Sequence, residues 1–242
     1  MKIVADADIP LLSDAFGPFG EVVALPAERI TAEAVRDATA LLVRSVTRVD
    51  GRLLEGSRVE FIATATIGFD HVDLGYLEAR RIGFASAQGS NARSVAEYVL
   101  AALSILAERG RRDMTQKVLG IVGCGNVGGR LGRMAEAIGL RVLQNDPPLA
   151  RTTHDPRYVP IEALAEADVV TFHVPLASEG PDATHHMIGA RLLGRLKRGV
   201  AVINTSRGAV ADSAALKAAR GDGRVGALVL DVWEGEPTID LD

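Results

Sequence analysis

A repeated alternation narrows the possible folds more than any other feature of this chain. Short runs rich in Val, Ile, Leu and Ala lie at 2–5, 21–25, 40–44, 60–65 and 83–86, and again at 118–122, 140–144, 168–173, 200–203 and 226–230. Polar segments that can be helical separate them, which is the rhythm of parallel strands joined by crossover helices. The stretches "TAEAVRDA" (31–38) and "DLGYLEARR" (73–81) each set a capping residue ahead of apolar positions at helical spacing, so both are read as helices covering a sheet. The longest helical pattern is "ARSVAEYVLAALSILAER" (92–109), where Val95, Val99, Ala102 and Leu106 share one stripe with Leu103 beside it. The alternation restarts after it. Two α/β units are therefore expected, over 1–92 and 93–242.

Composition excludes several function classes. Hydrophobic residues at 48% and charged residues at 24% are the balance of a globular chain that buries a core. A net charge of -4 leaves no overall basic field, so neither nucleic acid nor an anionic membrane surface is an expected partner. The single cysteine, Cys124, excludes an internal disulfide framework and a cysteine-rich metal cage, which fits a cytoplasmic protein with no bound metal. Asp6 and Asp8 sit where a secretory signal would carry its apolar stretch, and "YVLAALSILA" falls short of the roughly 20 residues a bilayer span needs.

In the second block, "KVLGIV" reads as a buried strand and "VGGRLGRMAEAIG" as a helix, with Gly123-x-Gly125-x-x-Gly128 at the turn between them. Three spaced glycines alone are a weak signal, but in a strand-to-helix turn each has a task. Gly123 permits the tight turn, Gly125 lets a pyrophosphate approach the backbone, and Gly128 allows close packing of helix on strand. The free N–H groups that open the helix then receive the phosphates. Eighteen residues beyond Gly128, "LRVLQNDP" ends at Asp146, where an acid accepts hydrogen bonds from the adenosine ribose. That carboxylate argues for NAD over NADP. Pro147, Pro148, Leu149 and Ala150 supply no compensating cation, and Arg151 is the nearest one. A turn-forming glycine set and a turn-starting Asp before Pro-Pro is the plainer alternative.

Three further stretches put polar groups at strand ends, where open parallel sheets bind ligands: "VVTFHVPL" (169–176), "VAVINTSRGAV" (200–210) and "ALVLDVWEGEP" (227–237). Arg207 is the leading catalytic candidate, because a guanidinium grips a carboxylate bidentately and polarises a neighbouring carbonyl; a surface ion pair is the alternative. Asp231 either accepts from a nicotinamide carboxamide or caps a helix. Glu236, with Glu234 beside it, suits a carboxylate that orients an acid–base imidazole. The histidines are His71, His154, His173, His185 and His186, and none follows Glu236. His173 is expected to pack against cofactor, and His185-His186 to lie in a solvated loop or helix start. Cys124 has no neighbouring general base and is not read as a nucleophile. In the first block, Arg44 with the Ser45 and Thr47 hydroxyls after a strand makes either an anion site or an edge strand entering a capped turn.

These residues, with "LLVRSVTRV" (41–49), "IATATIGFDHVD" (62–73), "GSNARSVAEYV" (89–99) and "NDPPLAR" (145–151), resemble the D-isomer-specific 2-hydroxyacid dehydrogenases over nearly the whole chain, and within them the branch acting on 4-phospho-D-erythronate. The resemblance implies a Rossmann-type doubly wound parallel-sheet domain for NAD over 93–242, preceded by a smaller flavodoxin-like α/β substrate domain over 1–92. It implies cofactor contacts at Gly123, Gly125, Asn126, Val127, Gly128, Asp146, His173, Val174, Thr205, Ser206, Arg207 and Asp231, catalysis by Arg207 and Glu236, and contacts of Ser45 and Thr66, with Arg44, to a small phosphorylated 2-hydroxy acid. Val174 stands where relatives often have Thr. The family continues past this motif to a catalytic histidine and a return into the first domain, and this branch adds a dimerising domain. The chain is thus expected to be C-terminally truncated, the full-length form being a homodimer. Two other readings stay open: a non-catalytic NAD(H)-binding regulatory module, and a dehydrogenase of another 2-hydroxy acid such as 3-phosphoglycerate.

Overall fold

Every apolar run of the alternation becomes a strand, because each is bounded by residues that end pairing and is flanked by enough chain for a crossover. The computed structural model describes residues 1–110, 116–236 and 238–239; Pro237 of the "DVWEGEP" stretch is outside them. The chain forms two units, Met1–Ser90 and Asn91–Asp242.

In the first unit, β1 (Lys2–Asp6), β2 (Glu21–Leu25), β3 (Ala40–Val43), β4 (Phe61–Thr64) and β5 (Gly83–Ser86) are all parallel, in the order β2-β1-β3-β4-β5. Alternate residues point to opposite faces. Val4, Leu41, Val43 and Ile62 pack with Leu54 of α3 (Gly51–Leu54) and Leu77 of α4 (Leu74–Arg80), and Ile3, Ala5 and Leu42 pack with Leu12 of α1 (Leu12–Phe16). The helix expected over 31–38 is confined to α2 (Ala32–Val35), capped by the Thr31 hydroxyl. It stops early because Ala38 is fully buried and its N–H donates to the Val35 carbonyl, turning the chain into β3.

The second unit opens with α5 (Ala92–Gly110) and runs β6 (Val118–Val122), α6 (Asn126–Ala137), β7 (Arg141–Asn145), α7 (Pro147–Thr153), β8 (Val169–Phe172), α8 (Ala190–Leu193), β9 (Val200–Asn204), α9 (Ser213–Gly221) and β10 (Val225–Leu230). Its parallel sheet has the order β10-β9-β8-β6-β7. One face buries Leu119, Ile121 and Ile203 beneath Val99 and Leu103 of α5 and Leu131 of α6; the other buries Val170, Phe172 and Val202 beneath Leu193 and Leu216. Counted from their own first strands, both sheets have the order 2-1-3-4-5. The strand direction of winding therefore reverses between β1 and β3 and between β6 and β8, and at such reversals the crevice beyond the carboxyl ends accepts ligands. Among the described residues no helix is long and apolar enough to cross a membrane, and no group of three or more His, Cys, Asp or Glu is placed to hold a metal.

Candidate nucleotide-binding and catalytic site

The glycine turn joins β6 to α6 at the second reversal, and its three glycines differ in what surrounds them. Gly123 has φ +83°, and a Cβ there would sit 2.6 Å from the His173 carbonyl oxygen. At Gly128 a Cβ would sit 1.9 Å from the Gly123 carbonyl oxygen. A Cβ on Gly125 meets nothing within 4 Å. The first and third glycines are thus required by the protein's own packing, whereas the second keeps open a space that the protein does not fill. Gly125 is the N-cap of α6 and offers no side-chain cap, so the amides of Asn126, Val127 and Gly128 have no intrahelical acceptor and face outward with the positive end of the helix dipole. This cradle fits a diphosphate.

Asp146 fastens the turn to the next strand. One carboxylate oxygen accepts from the Leu149 amide at 3.0 Å, capping α7, and the other accepts from the Cys124 amide at 2.8 Å. Each oxygen keeps a lone pair for a ribose hydroxyl. The Cys124 thiol lies buried beneath, its pKa pushed up to about 12 by burial and then by the Asp146 charge. A thiol in that state is not a nucleophile at neutral pH.

His173, just past β8, is held between two hydroxyls: Nε2 lies 3.0 Å from Thr171 Oγ1 and Nδ1 lies 3.0 Å from Thr205 Oγ1. Burial pushes its pKa down to about 4, so the ring is neutral at physiological pH. Val174 flanks Gly123, 2.8 Å from where a Cβ would stand there.

The loop after β9 is organised by Asn204, a fully buried residue the sequence reading did not single out. Its Oδ1 accepts from the Ser206 amide at 3.0 Å and the Ser206 hydroxyl at 2.7 Å, and its Nδ2 donates to the Arg207 carbonyl at 2.9 Å. The Ser206 side chain therefore faces inward. Arg207 leaves the turn in an extended conformation with one guanidinium nitrogen donating to the Ser206 carbonyl at 2.7 Å. Asp231 follows β10 and is tied alongside, its amide donating to the Asn204 carbonyl at 3.0 Å.

Glu234 is the second residue whose part the sequence did not disclose. Its Oε1 lies 2.5 Å from His186 Nε2 and its Oε2 accepts from the Ser213 amide at 3.0 Å. The Ser213 bond, then the imidazole, hold its carboxyl below the usual carboxylate range. His185 and His186 lie in an exposed turn, as expected, and His186 is engaged there across 48 residues, with the His185 ring stacked on it at 4.0 Å. A Cβ on Gly208 would lie 1.9 Å from the Trp233 carbonyl oxygen, so the Arg207 loop and the Glu236 loop touch backbone to backbone. Glu236 itself is exposed, and its Oε1 accepts from the Trp233 amide at 2.5 Å.

The residues expected to meet substrate follow neighbouring strands of the first unit. Arg44 and Ser45 come after β3, and Thr66 after β4, which pairs with it in register Val43 to Thr64. Arg44 is paired with Asp8 at 2.8 Å. The Thr66 hydroxyl donates to the Gly68 carbonyl at 2.8 Å and lies 2.6 Å from Thr64 Oγ1, which in turn meets His71 Nε2 at 3.1 Å. A cavity of about 680 Å³ in the second unit runs along α5 and β10 past Tyr98, Ile105, Ala227 and Val229, reaching Asp168 and Gly199 at the amino-terminal side of the sheet.

Residues 93–241 match the family described as D-isomer specific 2-hydroxyacid dehydrogenase, NAD binding domain. The chain belongs to this family. Among curated relatives, the erythronate-4-phosphate dehydrogenase of Salinibacter ruber is 53% identical over 99% of the chain and 62% of its own length, and that of Azotobacter vinelandii 48% identical over 100% and 63%. The chain thus spans less than two thirds of the length of these relatives. Among solved structures of the dehydrogenases, D-lactate dehydrogenase from Aquifex aeolicus, complexed with NAD and lactic acid, superposes with a TM-score of 0.80 at 27% identity, covering 98% of the chain and 78% of its own. NAD-bound 3-phosphoglycerate dehydrogenase of Entamoeba histolytica superposes with a TM-score of 0.82 at 27% identity, covering 98% and 82%. The cofactor of the family domain is NAD, and the open space over Gly125 with the Asp146 carboxylate beside it fits the chemistry of a dinucleotide.

Proposed function

We propose that the chain carries the NAD site and part of the substrate site of a cytoplasmic enzyme that oxidises the C2 hydroxyl of 4-phospho-D-erythronate to 2-oxo-3-hydroxy-4-phosphobutanoate, the longer form being a homodimer. NAD supplies the acceptor for the hydride that leaves C2. The amides of 126–128 hold its diphosphate, Asp146 its adenosine ribose, and Asp231 the carboxamide. Thr205 fixes the His173 ring, which with Val174 walls the cofactor. Arg207 grips the substrate carboxylate and draws electron density from the C2 oxygen as the carbonyl forms. In the first unit Arg44, Ser45 and Thr66 are read as residues for a phosphorylated substrate, Arg44 exchanging Asp8 for a phosphate. Glu236 orients an acid–base imidazole. The resemblance gives that role to a histidine further along the chain than Glu236, and all five histidines here precede it.

The observation that carries this reading is the open space over Gly125, flanked by outward amides and a ribose-positioned acid. Identity of about half to relatives named for erythronate 4-phosphate supports the substrate. The test has two stages. Calorimetry of the chain with NAD must show binding. NADH formation by the protein read in its full frame is then compared for 4-phospho-D-erythronate, 3-phospho-D-glycerate and D-lactate. Preference for the first supports the reading, preference for another moves the substrate, and binding without turnover on any of them replaces the enzyme with a regulatory NAD(H) module.

A further inference from the structure

Asp146 disfavours a 2′-phosphate by charge, yet Arg151 stands five residues further along the same helix. An arginine near this position is what accommodates the extra phosphate in NADP-dependent sites. Sequence alone thus leaves an attractive and a repulsive charge beside the adenosine ribose. The structure removes the ambiguity. Arg151 donates to both carboxylate oxygens of Asp182, Nη1 to Oδ1 at 3.1 Å and Nη2 to Oδ2, a bidentate pair. Each partner stabilises the other's charge: Asp182 is held below its ordinary pKa and Arg151 above its own, with Asp146 also contributing to Arg151.

Asp182 is not a casual surface acid. It rides on the 177–185 loop that follows β8, on the opposite side of β6 from β7 and α7. The neck of that loop is pinned by buried Thr184, whose hydroxyl accepts from the Ala177 amide at 2.8 Å and donates to the Pro175 carbonyl at 2.6 Å. The Thr184 and His185 amides both donate to the Ala177 carbonyl, at 2.8 and 3.0 Å. The acid is therefore presented from a closed loop, across the strand that carries the glycine turn, to Arg151, whose charge the Asp146 carboxylate also feels.

We propose that Asp182 is a cofactor-specificity residue: it occupies the Arg151 donors that would otherwise receive a 2′-phosphate, so that the site selects NAD(H) over NADP(H). This rests on the nucleotide reading above. With Asp182 present the three side chains sum to one negative charge; without it they are neutral and Arg151 is released. One charge-assisted hydrogen bond made available to a phosphate corresponds to roughly tenfold in affinity.

The chain is titrated with NADH and with NADPH, following the heat of binding, as wild type, as Asp182→Asn and as Asp182→Asn/Arg151→Gln. The expected result is NADH preference in the wild type, a shift of about tenfold in the NADPH-to-NADH affinity ratio toward NADPH in Asp182→Asn, larger at low salt, and return of the ratio in the double variant. A ratio unchanged in Asp182→Asn overturns the inference, including the case where both affinities fall together, because the pair would then only tie α7 to the loop. A shifted ratio that survives loss of Arg151 overturns it too. A wild-type chain that binds neither cofactor removes the nucleotide reading itself; one that binds NADH with an unmoved ratio removes the specificity role alone.

Discussion

The two sheets have one strand order and opposite offerings at the point where it reverses. In the second unit the first strand runs into Gly123-Cys124-Gly125 and then the twelve-residue α6, so main-chain amides and a helix dipole face the crevice. In the first unit β1 runs into Asp6-Ala7-Asp8 and then the five-residue α1, whose N-cap, Leu11, takes a left-handed conformation with no glycine to ease it. Asp6 is buried with one oxygen accepting from the Asp8 amide, and Asp8 reaches out to Arg44. An anion meets donors in one crevice and carboxylates in the other. The common topology places a crevice, and the loop after the first strand decides what can occupy it. Cationic chemistry in the first unit is displaced to the loop after β3.

Changes that break this contrast should have the largest effect. Gly125→Val fills the only one of the three turn positions that the protein leaves empty, so the chain should fold normally while NAD affinity falls by about a hundredfold or more, measured by calorimetry beside a thermal melt. Gly128→Ala should do the reverse first, losing on the order of 1–3 kcal/mol of stability because its methyl group is forced against the Gly123 carbonyl. Next is Asp146→Ala, which removes a helix cap, the tie to the Cys124 amide and a ribose acceptor; affinity should drop by about tenfold to a hundredfold with about 1 kcal/mol of stability.

His173 predicts an acid limb. Its folded pKa, about 4, lies below the ordinary histidine value of 6.5, so the unfolded chain binds more protons between those values. Its contribution is fully present above that window and is lost as pH falls through it, at up to about 1.4 kcal/mol per pH unit. His173→Gln should flatten this part of a denaturation series run from neutral pH downward; an unchanged slope would assign the limb elsewhere. The smallest effect belongs to the first unit: Asp8→Asn breaks an exposed pair and should change stability by less than about 1 kcal/mol, while freeing Arg44 for added phosphate.

The sheets were legible in the sequence because a buried parallel strand needs an uninterrupted apolar run, and runs such as "VLGIV" and "VAVIN" admit few other readings once turns bracket them. Helix extents were less legible. The 31–38 pattern has the right spacing, but burial of Ala38 and the start of β3 at Ala40 end the helix by Val35, and only tertiary packing imposes that. The glycine turn was readable residue by residue, since each glycine answers a local demand. Asn204, Glu234 and Asp182 were not. Glu234 finds His186 across 48 residues and Asp182 finds Arg151 across 31, and no local spacing encodes either partnership.

Cys124 gives the turn a built-in sensor. It is the chain's sole cysteine, enclosed under the Asp146 tie with its thiol held protonated. Alkylating reagents and mild oxidants must wait for the turn to unhook before they reach sulfur, so the labelling rate of an unmodified chain clocks that opening, and a bound dinucleotide should slow the clock.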